Sequence, residues 1–198
     1  MAEVNKRYCI GLDQSYTDTG IAVVQDGKVL FAGHENFEGC NLRYDKRKRL
    51  IKRLEKLIDK CKNKGDVLVT IEAVRLFSGS NPHISVNYIF GTCALVGAIV
   101  DCCITKNVPI TWVETRSWKK GVLGSSKPSQ KQLEGVKDKN KIASILYCIK
   151  LGLKEKISYE VKQGKNKGQI RYNDNIADAV CIAMCGYKGY KLKSLDSF

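Results

Sequence analysis

With 198 residues, 43% of them apolar and only 3 prolines, the chain is long enough for one domain with a real core and too apolar for wholesale disorder. Its 34 basic residues against 20 acidic ones leave a net charge of +14, which points to a polyanionic partner, nucleic acid first. Nine cysteines do not make a secreted disulfide scaffold here: residues 1–7 are polar and charged, no CxxC occurs, and Cys93, Cys102, Cys148 and Cys181 lie within apolar periodic runs.

A reducing, intracellular, cytoplasmic setting is therefore expected, without a structural zinc site, since His34 and His83 are far from paired cysteines. Residues 84–100 carry no charge over 17 positions. Ser85, Asn87, Thr92 and two glycines interrupt them and Asp101 closes them, so they read as a buried helix and not as a membrane span.

The predicted elements open with three strands, 7–12, 19–25 and 28–36. Asp26-Gly27 between the last two is a hairpin turn signal. In the third strand Val29, Phe31 and Gly33 alternate with Leu30, Ala32 and His34, so an antiparallel meander is expected, with His34 an ordinary strand residue. Residues 42–64 predict a helix whose apolar stripe is Leu50, Leu54, Leu57, Ile58 and Cys61, with Gly65 as its stop. From Arg43 to Lys64 there are 11 Lys or Arg against Asp45, Glu55 and Asp59, a solvated charged face.

The run 66–71 (DVLVTI) is continuous and β-branched, as in a strand covered on both faces, and it ends in Glu72. A loop, 75–82, leads into the uncharged helix, 83–105. Gly91, Ala94, Gly97 and Ala98 would admit a second helix, from the same chain or from a second copy. A strand at 108–113, a short helix at 115–121 and a polar, mobile loop at 124–138 follow. Residues 139–151 predict a helix with Ile142, Ile145, Leu146 and Ile149 on its apolar face. The stretch 154–171 is basic and contains glycines, a hairpin or an insertion, and 173–186 predicts the last helix. The order is that of a single mixed α/β domain, antiparallel strands first, with no internal repeat or linker.

Four acids stand out. Asp13 ends the first strand, just before a polar turn (GLDQSYTDTG), and Glu72 ends a buried one. Asp174 and Asp178 lie one turn apart on one face of the last helix, with Asn175 beside Asp178. Taken one at a time, a turn role accounts for Asp13 and a helix-dipole role for Asp174 about as well, and less well for Asp178. Asp178, among Ala177, Ala179 and Val180, would be a buried carboxylate in need of a partner. Converging carboxylates repel by about 4 kcal/mol per pair at about 4 Å and an effective dielectric near 20. Two divalent cations would turn that repulsion into coordination, and Mg²⁺ favours carboxylates, waters and phosphate oxygens. An acidic hole on a basic surface is what a nuclease needs.

On these residues the chain resembles the RuvC family of Holliday-junction resolvases, of ribonuclease H-like fold. GLDQSYTDTGIAVV resembles the family's first strand pair with its leading acid, and VTIEAV the strand ending in the second. The uncharged helix followed by VPITWVETRSWKKGVLG resembles the next helix, strand and lysine-bearing segment, and NIADAVCIAM the last catalytic helix. The resemblance implies a mixed five-stranded sheet, its first three strands antiparallel and the rest parallel, flanked by helices. It implies a homodimer that resolves four-way or branched DNA by paired nicks with Mg²⁺ or Mn²⁺ in a two-metal site.

Asp13, Glu72 and Asp178 match the family's acids. Its fourth acid position falls on Asn175, and Asp174, one residue earlier, is the favoured replacement. Lys119 matches a lysine near the scissile phosphate, and Lys139 a second. Near the family's aromatic wedge stand Arg75 and, two residues later, Phe77. Arg116, Lys120 and Lys127 complete the implied DNA contacts. The short, basic chain with its long loop suggests a bacterial or phage-encoded protein. Two other readings stand beside it. One is a branched-DNA-binding protein of the same fold without catalysis, motivated by Asn175 and the missing wedge. The other is an actin-like ATPase gripping phosphate through Asp13, Thr17, Thr19 and Gly20, for which 198 residues leave no second half.

Overall fold

A computed structural model of the chain describes residues 6–15, 17–37, 43–73, 86–191 and 193–194. Alternating apolar side chains build its central sheet. β1 (Arg7–Asp13), β2 (Asp18–Gln25) and β3 (Lys28–Asn36) form the antiparallel meander, and Asp26 (φ 50°) with Gly27 (φ 74°) supplies the left-handed turn between β2 and β3. Helix α1 (Arg43–Lys62) carries the chain across to β4 (Asp66–Glu72), which pairs parallel with β1. Helix α2 (Val86–Thr105) then leads to β5 (Ile110–Val113), parallel to β4.

Next come α3 (Thr115–Leu123), α4 (Lys139–Lys150), the single turn α5 (Lys154–Ile157) and a separate hairpin of β6 (Ser158–Glu160) and β7 (Ile170–Tyr172). Helix α6 (Asp174–Lys188) and a two-residue strand β8 (Lys193–Ser194) finish the described chain. The sheet order is β3-β2-β1-β4-β5-β8, so the five expected strands gain a short antiparallel sixth at the β5 edge.

Period-two alternation sorts the strand residues between two layers. Tyr8, Ile10, Leu12, Ile21, Val23, Val67, Val69 and Ile71 face α1 and α2, where Leu50, Leu54, Ile58, Leu95 and Ile99 are buried with them. Ala22 and Val24 face the other way, onto Ala179, Val180 and Ala183 of α6 and Ile145 of α4. Trp118 of α3 is fully buried beside Val113, Cys181 and Ile182.

Some boundaries differ from the sequence reading. The short helix runs to Leu123, where Gly124 at φ 78° supplies the left-handed cap. The strand expected from 108 begins at Ile110. On α4, Leu146 and Ile149 are only half-buried, while Ser144 and Cys148 are buried with Ile142 and Ile145. The loop 124–138 is irregular, but Leu133 and Val136 pack on the core beneath α4 and α6. Cys93 points outward, whereas the other seven described cysteines are buried free thiols, and burial pushes Cys103 and Cys148 up to about 12. No helix among the described residues is long and apolar enough to cross a membrane.

Candidate active site

Asp13 and Glu72 end neighbouring parallel strands, their preceding residues Leu12 and Ile71 being register partners. Leu12 and Ile71 point into the α1–α2 layer, so alternation turns both acids toward α6. Helix α6 lies unusually close to that face. A Cβ on Gly11 would stand 2.3 Å from the Ala183 nitrogen, and one on Gly20, the partner of Asp13, 1.9 Å from the Asn175 carbonyl. Only glycine permits this approach, which lays the first turns of α6, with Asp174 and Asp178, over the end of β1.

Asn173 caps α6 by accepting from the Ile176 nitrogen at 3.0 Å, and its amide donates to Asp18 at 3.0 Å. His34 closes that cluster with a 2.7 Å contact to Asp18, so it braces the helix start and is more than a strand residue. Gln14 ties the two acid-bearing strands beyond their ladder: its amide donates to the Glu72 carbonyl and accepts from the Glu72 nitrogen at 3.2 Å. Thr115, at the start of α3, donates to the Glu72 carboxylate. Thr19, offered to phosphate in the ATPase reading, is buried and donates to the Ser15 carbonyl at 3.0 Å.

The electrostatics show the four acids acting on one another. Burial, then the charges of Asp178 and Glu72, push Asp13 well above the ordinary carboxylate range, and Asp174 adds to this. Glu72 is raised by burial and by Asp178, against the Thr115 hydroxyl, Lys141 and Lys119. The cation among them is Lys141 of α4, which sequence reasoning missed. Its ammonium meets Asp178 at 2.7 Å and Asp174 at 3.1 Å. Burial opposes that charge, but Asp178, Asp13 and Asp174 outweigh it and hold Lys141 above its usual value. Its signal in the sequence was faint: one lysine among several at the start of α4.

Lys119 stands near enough to steady Glu72, but its ammonium donates to the Asn140 carbonyl at 3.1 Å and packs over the Trp118 ring. Arg116, Lys120, Lys127 and Lys139 are exposed on α3, the following loop and the start of α4. Arg75 and Phe77 lie outside the described residues.

Among the described residues no three acid, histidine or cysteine side chains stand as a ready-made ligand set. The donors nevertheless suit a hard divalent cation: they are carboxylate oxygens, and Oδ1 of the buried Asp178 has no hydrogen-bond partner. An orphaned carboxylate oxygen beside three other acids is a position that a cation would satisfy.

The mixed sheet and its helix layers form an α/β fold similar to that of RuvC. Thermus thermophilus RuvC superposes with a TM-score of 0.61 at 15% identity, covering 95% of this chain and 99% of that one. The same protein in complex with Holliday junction substrate gives 0.63 at 16% identity, with the same coverage. No protein-family model and no curated protein matches the sequence.

Proposed function

We propose that the chain is a divalent-metal-dependent, structure-selective DNA endonuclease that resolves four-way or branched junctions by paired nicks. The observation that carries this reading is that Asp13 and Glu72 end the paired strands β1 and β4, with the start of α6, bearing Asp174 and Asp178, laid close over them and one Asp178 oxygen without a partner among the described residues. The RuvC-like fold and the net charge of +14 support it. Asp13, Glu72, Asp174 and Asp178 would hold Mg²⁺ or Mn²⁺, which supplies Lewis-acid activation of a water and neutralises charge on the phosphate.

The rest is the work of the chain's own residues. Thr115 and Gln14 fix Glu72 in orientation. Lys141 pairs with both Asp174 and Asp178 and holds them close together. Lys119, nearby, offsets negative charge at Glu72 and would face a phosphate brought to the acids. Arg116, Lys120, Lys127 and Lys139, with Arg75 and Phe77, would track the DNA arms.

Two nicks placed symmetrically need two copies. The exposed stripe of α2 supports a homodimer: Phe90, Cys93, Ala94, Gly97 and Ile104 share one helical face, with Phe90 64% and Ile104 68% exposed.

Labelled four-way junction, duplex and single-stranded DNA, incubated with and without Mg²⁺, test the proposal. The junction should be nicked in pairs only with metal. Asp13→Asn should lower cleavage more than about a hundredfold and leave junction binding near normal. Robust cutting by that variant would remove the proposal.

One observation favours a second reading, a junction-binding protein without catalysis. Lys141 already meets two of the acids, so they are neutralised in part without metal. Tight junction binding with no metal-dependent product would establish it.

A further inference from the structure

Beside the acids lies a feature that the nuclease reading leaves unused. The loop before α4 and the β6–β7 hairpin enclose an open cleft of about 890 Å³. Its lining includes Lys137, Lys154 and Arg171 against the single acid Glu134. On its hairpin wall Tyr159 and Ile170 are 52% and 47% exposed, and Tyr159 lies on the same face as Arg171.

The cleft is built, not incidental. Gly135, at φ 79°, lies so close to the hairpin that a Cβ would stand 2.3 Å from the Ile170 carbonyl. The hairpin is pinned at its base, where the Asn173 nitrogen donates to the Ile157 carbonyl at 2.7 Å, one residue before Asp174. The cleft also continues toward the acids. Gly135, Val136, Lys137 and Tyr172 line it and equally line a smaller hollow of about 180 Å³, which is bounded by Lys141 and Asp174.

We propose that this cleft binds a single strand of the DNA substrate, the unpaired flank on one side of the scissile phosphate. The inference rests on the nuclease reading, and it names the strand that the same site would hold. A duplex shows phosphates, sugars and base edges but keeps its base faces stacked inside, so it gives an exposed tyrosine ring nothing to stack on. An unstacked strand offers both of the things that this lining matches, a phosphate chain for Lys137, Lys154 and Arg171 and a base face for Tyr159, which shares a face of the hairpin with its cross-strand partner Arg171. The volume lies within the range that encloses a drug-sized ligand, about 300–1,000 Å³, so an unstacked nucleotide or two can enter. Flanking nucleotides held there would register the phosphate over Asp174 and Asp178 and would favour substrates whose strands separate at the branch.

The experiment uses the full chain, a fluorescent oligothymidylate, a blunt duplex and a labelled four-way junction carrying a photoreactive thymidine analogue next to the cut. Tyr159→Ala should weaken oligothymidylate binding about tenfold, with duplex affinity unchanged, and Tyr159→Phe should bind like wild type. Arg171→Ala should reduce the salt dependence of strand binding by about 0.7 in log–log slope, one phosphate contact. The photoreactive base should cross-link within 154–172.

Strand binding unchanged by both Tyr159→Ala and Arg171→Ala, in a wild-type chain that cuts junctions, overturns the cleft. So does an equal loss of duplex and strand affinity. Failure of the nuclease reading is a separate result: wild type that cuts no junction in Mg²⁺, whatever the cleft variants bind.

Discussion

Asp13 sits at an electrostatic cost, because burial and three neighbouring acids all favour its neutral form. Its folded pKa is raised above the unfolded value, so the folded state binds more protons between the two. Stability is therefore lost as pH rises from the ordinary carboxylate value through the raised one. Asp13→Asn removes that loss. Its Tm should exceed that of wild type at neutral pH without metal, by about 2–4 °C for each kcal/mol of relieved repulsion, and the gain should vanish near pH 4. Thermal melts across pH check this, and an equal Tm at pH 7 would contradict it. Lys141→Met is the opposite case. It leaves Asp178 and the half-exposed Asp174 without their cation and should cost about 2–3 kcal/mol at neutral pH, a figure reduced for solvent screening. Saturating Mg²⁺ should recover part of that loss, up to about 2.7 kcal/mol at a hundred times Kd, if the acids take up a cation. Melts of this variant with and without Mg²⁺ test the proposed metal site without relying on cleavage.

At the scale of elements, the site depends on how closely α6 approaches the sheet. Gly20→Ala drives a methyl into the Asn175 carbonyl, where rigid helix backbone cannot move aside. The variant should lose about 2–3 kcal/mol, seen as a lower midpoint in denaturant, and should lose cleavage more than stability alone explains, because Asp174 and Asp178 move with the helix. The Asn173 cap and the Asp18–His34 pair brace the same turn from β2 and β3. Helix α1 is held differently: Arg49 reaches Glu35 of β3 at 2.8 Å and Arg53 stacks over Phe31, so part of its basic face serves the fold instead of DNA.

For the whole molecule, the proposed homodimer rests on the exposed stripe of α2. A second copy seated there would bury Phe90 and Ile104. Ile104→Glu should then convert a dimer to a monomer in light scattering, while the fold, read by circular dichroism, stays intact. A wild-type chain that is monomeric at micromolar concentration would remove the dimer. The positive charge belongs to this scale too. Junction binding should weaken steeply with salt, since each phosphate contact on duplex contributes a slope of about 0.9.

Local patterning was enough to read the strand alternation, the Asp26-Gly27 turn, the stripe of α1 and the four acids, because each depends on neighbours within a few residues. The order of elements then carried the resemblance to RuvC. Tertiary structure alone could reveal Lys141 among the acids, 37 residues from Asp178, and the use of Lys119 on the Asn140 carbonyl instead of a carboxylate. It also decided that Gly11 and Gly20 are close-approach positions, that Gln14 and Thr115 hold Glu72, and that a basic hairpin of no evident purpose walls a cleft opening toward Asp174. The physical reason is range. Periodicity and turn chemistry act along the chain, whereas the partner of a buried charge is whatever a distant element brings within about 3 Å, and one sequence does not encode that distance in any local pattern.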